Sequence, residues 1–306
     1  MVTATLTKVA IALFSGGIVV AGTMTDAQNR YQPLKPNLYE TWPALLEPEP
    51  ILPEVILSHL YEEARGISVR VMARSGWGTG VLLARNESTY IVITNRHVLN
   101  GEEHEHEIET SNGQIYRARE LHEPALDAYD LALLEFNSSN DHSIAQLGES
   151  VNLPQGTVTF AAGFPLEQED RVESLGTDVF NDGFKFTQGE ISLQLERPLE
   201  EGYQLGYTNA IEKGMSGGPV LNRAGELIAI NGIHADPLWG NPYVYQDGTE
   251  TEAELQSLIE GSSWAIPIET VLQLLPTLAS EHRVPNSQVE QDSSEPVSSE
   301  SSSSLP

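Results

Sequence analysis

Between residues 67 and 267 the chain is a succession of short apolar runs separated by turn-forming residues, and this pattern restricts the possible folds most strongly. The runs are rich in valine, isoleucine and aromatic residues and are typical of β-strands. Successive strands without helices between them favour an antiparallel sandwich or barrel, because neighbouring parallel strands need long crossover connections. We predict strands at residues 67–74, 80–84, 90–94, 114–121, 131–136, 157–162, 171–180, 184–195, 203–209, 219–221, 227–233 and 263–266.

A polar connection rich in serine and asparagine, residues 137–156, divides the predicted strands into two groups. Each group contains enough strands to close a core of its own. We therefore expect an all-β domain at residues 54–282 with two lobes of similar size, at about 67–140 and 155–267.

Two amphipathic segments flank the strands. Apolar side chains from Val55 to Ala64 fall on one helical stripe, and we expect that helix to end near Gly66. Residues 268–278 predict a closing helix, which Pro276 should end or kink because proline cannot continue the helical hydrogen bonds.

The composition excludes several classes of protein. Hydrophobic residues make up 40% of the 306 residues and charged residues 20%, which is typical of a folded chain rather than a disordered one. The formal net charge of −28 repels phosphate backbones, so we expect no nucleic-acid partner. The chain has no cysteine, which excludes disulfides, thiolate metal sites and a cysteine nucleophile.

Residues 1–27 have the pattern of a signal peptide. Lys8 precedes an uncharged stretch, residues 9–22, that is short for a membrane span but suits the apolar region of an export signal. Cleavage after Ala27 fits the small-residue rule, and cleavage after Gly22 competes with it. An uncleaved membrane anchor and a buried helix or strand are the alternatives. We expect an exported protein, periplasmic or extracellular, without a stable membrane span after cleavage.

The segments on either side of the predicted domain differ from it in composition. Residues 28–53 are rich in proline, which predicts an extended lead-in. Residues 283–306 are rich in serine and glutamate and almost free of apolar side chains, so we expect a disordered tail that builds no core.

A glycine-flanked serine is the first of three candidate catalytic positions. It lies in the run GMSGGPV at residues 214–220. Glycine permits a turn in which the amides of Gly214 and Ser216 point at one spot beside the serine hydroxyl, as an oxyanion hole requires. An ordinary glycine-rich hairpin turn is the alternative interpretation.

His97 and Asp130 are the other two candidates. His97 follows an apolar strand and begins a helical turn, which is a suitable place for a rigid general base. Asp130 directly precedes a buried strand, where a carboxylate can orient an imidazole. Each residue taken alone also fits a structural role, as a hydrogen-bonded histidine or as an acid at the start of a strand.

In these motifs and in their order along the chain, the sequence resembles the trypsin-like serine peptidases, in particular the bacterial HtrA (Deg) type. The resemblance extends from about residue 67 to residue 280. Because the residues after 280 are of low complexity, we expect no PDZ domain here. The motifs that carry the resemblance are GTGV at 78–81, TNRHV at 94–98, DLAL at 130–133, TNAI at 208–211, GMSGGP at 214–219, GELIAING at 225–232 and WAIPI at 264–268.

The resemblance implies two six-stranded antiparallel β-barrels with a crevice between them and a C-terminal helix. Carried over by position, Ser216 is the nucleophile, His97 is the general base and Asp130 orients the base. The amides of Gly214 and Ser216 form the oxyanion hole. The implied reaction is hydrolysis of peptide bonds in polypeptide substrates through an acyl-enzyme, without a metal or an organic cofactor.

The resemblance also places the substrate-binding residues. Ala210 lies near the floor of the pocket for the side chain before the cleaved bond, and Ile230, Asn231 and Gly232 lie along its wall. Since the floor carries no acid, we expect a small or medium apolar side chain there. Met215 stands where digestive members carry an acid that pairs with a new N-terminus, so we expect no activation of that kind.

Three questions stay open at the level of the sequence. The run EEHEHE at residues 102–107 is interpreted as a solvated acidic loop, with a loose divalent-metal site as the alternative. Residues 236–261 form either a surface insertion or a wall of the substrate groove. The domain is either an active serine endopeptidase, a weak or inactive relative that binds peptides or partners, or an enzyme held latent by its lead-in. No pattern in the sequence specifies an oligomeric state.

We predict that a chain beginning at residue 54 melts at a lower temperature than one beginning at residue 28, yet still reacts with a fluorophosphonate probe. The lead-in carries apolar side chains that a free linker would expose, so it should pack on the outside of the barrels. A probe reaction that occurs only after truncation would identify an inhibitory propeptide instead. The apolar residues concerned are Tyr31, Leu34, Leu38, Tyr39, Trp42, Leu45 and Leu46.

Overall fold

The computed structural model describes residues 53–73, 76–99, 106–166, 183–233 and 244–281. Within these ranges the strands form two closed six-stranded antiparallel barrels, and helices follow the last strand. The predicted all-β fold of two barrels with a C-terminal helix is confirmed. The predicted lead-in, signal segment and tail lie outside the described residues, and so does the strand predicted at 171–180.

The first barrel contains the strands on the N-terminal side of the polar connection. They are β1 (Ser68–Ala73), β2 (Gly76–Asn86), β3 (Thr89–Thr94), β4 (His106–Glu109), β5 (Ile115–Leu121) and β6 (Ala132–Asn137). The barrel closes in the order β1-β2-β3-β6-β5-β4, because β4 pairs with β1 on one side and with β5 on the other.

The second barrel repeats this architecture. Its strands are β7 (Val158–Gly163), β8 (Lys185–Gln194), β9 (Leu205–Tyr207), β10 (Pro219–Leu221), β11 (Leu227–Ile233) and β12 (Ser263–Pro267). They close in the order β10-β11-β12-β9-β8-β7.

Short helices accompany the strands of the barrels. The described part of the chain contains no helix long and apolar enough to cross a bilayer. The backbone of Leu275 leaves the helical region (φ −124°, ψ 67°), so the closing helix breaks before Pro276 as predicted. The helices are α1 (Glu54–Ile67), α2 (Arg96–Leu99), α3 (Ala253–Glu260), α4 (Ile268–Leu274) and α5 (Pro276–Glu281).

Two elements were not predicted. The acidic run was interpreted as a solvated loop, but its last two residues begin β4, where His106 and Ile108 are buried. Closure of the barrel buries these alternate side chains and leaves Glu107 outside, so the charges masked a short strand. The second element is α3, which lies in the segment expected to be either a surface insertion or a wall of the substrate groove.

Apolar packing joins the two barrels. Each barrel has its own buried interior, and a larger cluster connects both barrels with α1 and the closing helices. This shared core holds the facing edges of the barrels in a fixed relation, because densely packed side chains resist displacement. Members of the shared cluster include Leu60, Ile93, Phe160, Ile230, Ile266 and Val271.

A buried asparagine fixes the chain that leads toward Ser216. Asn209 Nδ2 donates to the carbonyl of Thr187 (2.8 Å) and to that of Thr159 (3.2 Å), and its Oδ1 accepts from the Thr159 hydroxyl (2.8 Å). This close approach depends on Gly189 in β8, where an added Cβ would lie 2.6 Å from the backbone nitrogen of Asn209.

Gly189→Ala is therefore expected to lower the free energy of unfolding by about 1–3 kcal/mol, because the methyl group forces Asn209 away from β8. Gly261→Ala is the matched control, since its Cβ would meet no atom closer than 3.7 Å. Urea denaturation of both variants measures the difference. Equal stabilities would show that Asn209 can relax without losing its hydrogen bonds.

Candidate active site

The three candidate catalytic residues lie next to strand ends that face each other. His97 belongs to α2, directly after β3, and Asp130 lies two residues before β6. Because Thr94 of β3 pairs with Ala132 of β6, the residues beyond these ends are brought together at one edge of the first barrel. Ser216 lies in the turn before β10 of the second barrel.

The carboxylate of Asp130 binds His97 twice. His97 Nδ1 lies 2.6 Å from Asp130 Oδ2, and the His97 backbone N–H donates to Asp130 Oδ1 over 2.9 Å. Asp130 is buried, whereas 44% of the His97 side chain is exposed. The two contacts fix both the position and the orientation of the imidazole, while its other edge remains accessible.

The pKa values of this pair move in opposite directions. Burial opposes the charged form of His97, but the hydrogen bond and charge of Asp130, with a contribution from Glu201, outweigh it and raise the pKa of the imidazole. Burial likewise opposes ionisation of Asp130, but hydrogen bonds from His97 and Tyr203 outweigh it and lower the pKa of the carboxyl group. Asp130 is thus a stable anion beside a base of increased basicity.

The backbone of Asp130 is fixed as firmly as its side chain. Its N–H donates to the carbonyl of Glu201 (2.9 Å), and its carbonyl accepts from Asn95 Nδ2 (2.8 Å). The hydroxyl of Tyr203, a buried residue of the second barrel, donates to Asp130 Oδ2. Asp130 therefore lies at a junction of contacts from both barrels.

The turn that carries Ser216 is held by Thr79 of the first barrel. The Thr79 hydroxyl donates to the carbonyl of Gly214 (2.7 Å), and the Thr79 N–H donates to the carbonyl of Ser216 (2.8 Å). The same hydroxyl accepts from the N–H of Phe164 (2.9 Å). The buried Thr79 thus connects the serine turn to Phe164, which lies in a neighbouring loop of the second barrel.

In two peptide groups of this turn the carbonyl is hydrogen-bonded and the N–H points in the opposite direction. The Lys213 carbonyl accepts from the N–H of Leu166 (2.7 Å), and the Met215 carbonyl accepts from Asn231 Nδ2 (2.8 Å). In a planar trans peptide the N–H points opposite to the C=O, so these contacts turn the amides of Gly214 and Ser216 the other way. Neither amide has a hydrogen-bond partner within the described part of the chain.

Glycine is required at two positions of the turn. Gly214 has φ +95°, and an added Cβ would lie 2.7 Å from the backbone nitrogen of Leu166. Gly217 has φ +83°, and an added Cβ would overlap the carbonyl oxygen of Thr79. The glycines around the serine therefore reflect both the left-handed backbone and close contact with neighbouring chain.

The hydroxyl of Ser216 donates to the carbonyl of Gly232 over 3.0 Å. Among the described residues no hydrogen bond joins Ser216 to His97. Catalytic hydrogen bonds are often long or absent before a substrate binds, and rotation of one side-chain torsion redirects a serine hydroxyl.

The residues predicted to bind substrate separate into two groups. Ala210 is exposed, and Gly232 contacts the Ser216 hydroxyl through its carbonyl. The side chains of Ile230 and Asn231 are completely buried, so neither lines a pocket in this structure. Asn231 instead holds the carbonyl of Met215, whose apolar side chain is itself buried.

Four residues around the candidates have no role that was predicted from the sequence: Thr79, Asn95, Glu201 and Tyr203. Thr79 and Asn95 lie within the GTGV and TNRHV motifs, which is the signal that could have identified them. Tyr203 and Glu201 precede β9 and carry no comparable signal.

Among the described residues no cluster of three or more acidic or histidine side chains could hold a metal ion. His104 of the acidic run lies outside those residues.

Glu201→Gln is expected to lower the pKa of His97, because the carboxylate charge helps to stabilise the imidazolium. A titration of the His97 ring followed by NMR measures this shift directly. Glu200→Gln removes the same charge from the neighbouring residue and is the matched control, for which we expect a smaller change. Equal shifts in the two variants would show that only the overall charge matters.

Comparison with known proteins places this geometry in a family. The family model for the trypsin-like peptidase domain matches residues 78–230, half of the chain. Serine protease Do-like HtrB of Bacillus subtilis is 30% identical over 163 residues, and serine protease Do-like HtrA of Lactobacillus helveticus is 26% identical over 216 residues. A protein of Haemophilus influenzae named probable periplasmic serine protease do/HhoA-like is 28% identical over 170 residues.

These alignments cover 51%, 69% and 54% of the chain, but only 32%, 45% and 32% of the three relatives. The chain therefore spans less than half the length of each. The matched region includes the described strands β3, β6 and β10 and the residues at their ends. The chain belongs to the trypsin-like peptidase family.

Proposed function

We propose that the protein is a serine endopeptidase in which Ser216, His97 and Asp130 form the catalytic triad. One observation carries this proposal: an ionised, buried Asp130 holds His97 by two hydrogen bonds, at the edge where the first barrel meets the serine turn. Family membership and the names of the relatives support the same activity.

In the proposed reaction His97 Nε2 takes the proton of the Ser216 hydroxyl as the oxygen attacks the carbonyl carbon of the peptide bond. The new C–O bond gives a tetrahedral intermediate with a negative oxygen. The imidazolium then gives its proton to the leaving amine as the C–N bond breaks. Water repeats the sequence on the acyl-enzyme, which releases the acid and restores the proton to Ser216.

Asp130 and the serine turn stabilise the charges that develop. The carboxylate faces Nδ1, so it selects the tautomer whose Nε2 can accept a proton and then stabilises the imidazolium. The amides of Gly214 and Ser216 are turned away from the protein by the contacts of the preceding carbonyls. Two such donors suit the negative oxygen of the intermediate, because they are oriented before the reaction begins.

The contact between Ser216 and Gly232 favours a second candidate function. A serine whose hydroxyl donates to a carbonyl and makes no hydrogen bond to His97 is not yet arranged for attack. The protein would then bind peptides in the crevice with little or no hydrolysis. Reaction with a fluorophosphonate distinguishes the two functions, because the probe requires an activated serine.

We further propose that the protein acts on polypeptides outside the cytoplasm. The N-terminal pattern of an export signal supports this location, and two relatives carry the word periplasmic in their names. The exposed methyl side chain of Ala210 offers no charge to a substrate, which suits the apolar preference predicted from the sequence.

Ser216→Ala is expected to abolish both the reaction with a fluorophosphonate and the hydrolysis of an unstructured protein. Loss of a triad nucleophile costs roughly 10⁶-fold in turnover, while removal of one oxygen at a turn leaves the fold intact. Cleavage at the rate of the unmodified protein would exclude Ser216 as the nucleophile. Lack of probe reaction in the unmodified protein would favour the binding function.

Ser138→Ala is the matched control for this experiment. Ser138 Oγ lies 3.0 Å from His142 Nε2, so it also pairs with a histidine, but it is buried in the first barrel. We expect this variant to keep full activity and full labelling. The comparison separates the loss of the nucleophile from the general effect of removing a serine hydroxyl near an imidazole.

A further inference from the structure

Asp130 receives hydrogen bonds from more than the histidine that it orients. The backbone and carboxylate of Asp130 together make five contacts, and two come from a short turn of the second barrel, residues 199–203. That turn contributes the carbonyl of Glu201 and the hydroxyl of Tyr203. The position of the acid in the first barrel is thus set partly by the second barrel.

We propose that Tyr203 is a positioning residue for the reaction, holding the Asp130 carboxylate in the plane in which it orients His97. The inference rests on the proposed function. Tyr203 acts through Asp130 and does not itself touch the reacting atoms. Its side chain is 1% exposed, so no water molecule can replace the hydroxyl without a cavity.

The second contact of Tyr203 links it to the serine. Its ring lies against Gly232, where an added Cβ would be 2.6 Å from the ring carbon that carries the hydroxyl. The carbonyl of Gly232 accepts the hydrogen bond of Ser216. The rigid ring of Tyr203 therefore lies between Asp130 and Gly232 of β11, and it fixes the spacing between them.

A neighbouring hairpin, residues 244–250, holds this turn in place. The Glu200 N–H donates to the carbonyl of Val244 (2.9 Å), and the Gln246 N–H donates to the carbonyl of Pro198 (3.0 Å). Gln246 Nε2 also donates to the carbonyl of Ala128 in the first barrel, two residues before Asp130 (3.1 Å). These contacts support the turn although Glu201 adopts φ +60°, a conformation that non-glycine residues rarely adopt.

The proposed role has two measurable consequences. Without the tyrosine hydroxyl, only the two contacts with His97 restrain the Asp130 carboxylate, so the imidazole is held less firmly. The carboxylate charge also acts more fully on His97, which raises the pH at which the imidazolium loses its proton. The other titratable or charged groups that face this cluster are Glu201 from the turn, Arg96 from α2 and Tyr207 from β9.

The test compares Tyr203→Phe with Tyr90→Phe. Tyr90 is also buried, and its hydroxyl donates to the carbonyl of Asn140 (3.0 Å) and accepts from the N–H of His142, neither of which belongs to the triad. For Tyr203→Phe we expect kcat to fall about 10- to 100-fold with KM nearly unchanged, the range of one hydrogen bond to a charged group. We also expect the NMR titration of His97 to move to higher pH. Tyr90→Phe should change neither quantity.

A second variant covers the case in which Tyr203→Phe does not fold. Site-specific replacement of Tyr203 by 3-fluorotyrosine keeps the ring and strengthens the hydroxyl as a donor. We expect the titration of His97 to move to lower pH, opposite to the effect of phenylalanine. A His97 titration and a kcat that match those of the Tyr90→Phe variant would overturn the proposal.

The two readouts separate the inference from the proposed function. The titration of His97 requires no turnover, so it tests the contact between Tyr203 and Asp130 even if the protein hydrolyses nothing. If Ser216→Ala retained full activity while Tyr203→Phe shifted the titration, the proposed nucleophile would be wrong and the positioning of His97 through Tyr203 would stand.

Discussion

The buried carboxylate of Asp130 is the constraint on which the arrangement of the site depends. A carboxylate removed from water is costly unless hydrogen-bond donors replace the lost solvent. Here the donors are the ring and backbone of His97 and the hydroxyl of Tyr203. The groups that satisfy the charge are also those that fix the imidazole, so stability and proposed catalysis depend on the same few contacts.

Each barrel makes hydrogen bonds that hold a candidate catalytic residue, or the turn that carries it, in the other barrel. Thr79 of the first barrel binds the carbonyls on both sides of Met215 in the serine turn. Tyr203 and Glu201 of the second barrel bind Asp130 in the first. Because the contacts run in both directions, the site is complete only when the barrels are packed together. The shared apolar core between the barrels provides that packing.

The errors in the secondary structure predicted from sequence have local causes. β4 is short, and its glutamates face outward, so the run containing His106 and Ile108 looks like a charged loop until the barrel closes around it. α3 is short, and its apolar residues Leu255, Leu258 and Ile259 have helical spacing but span little more than one turn, too few to predict a helix. The strands β5 and β11 were located to within one residue, because alternating or continuous apolar patterns determine them locally, whereas the prediction for β2 covered only its middle part.

The resemblance to the trypsin-like peptidases implied the two barrels. The sequence by itself determined an all-β fold in two lobes, the order of the three candidate catalytic residues and the turns that require glycine. These features depend on local periodicity, on motif spacing and on backbone conformations that few residue types allow. Only the tertiary structure decided that Tyr203 contacts Asp130, that Asn231 turns inward to hold the serine turn, and that the segment after residue 243 supports the acid. Such contacts join residues far apart in sequence, and they form only when the barrels close and pack against each other.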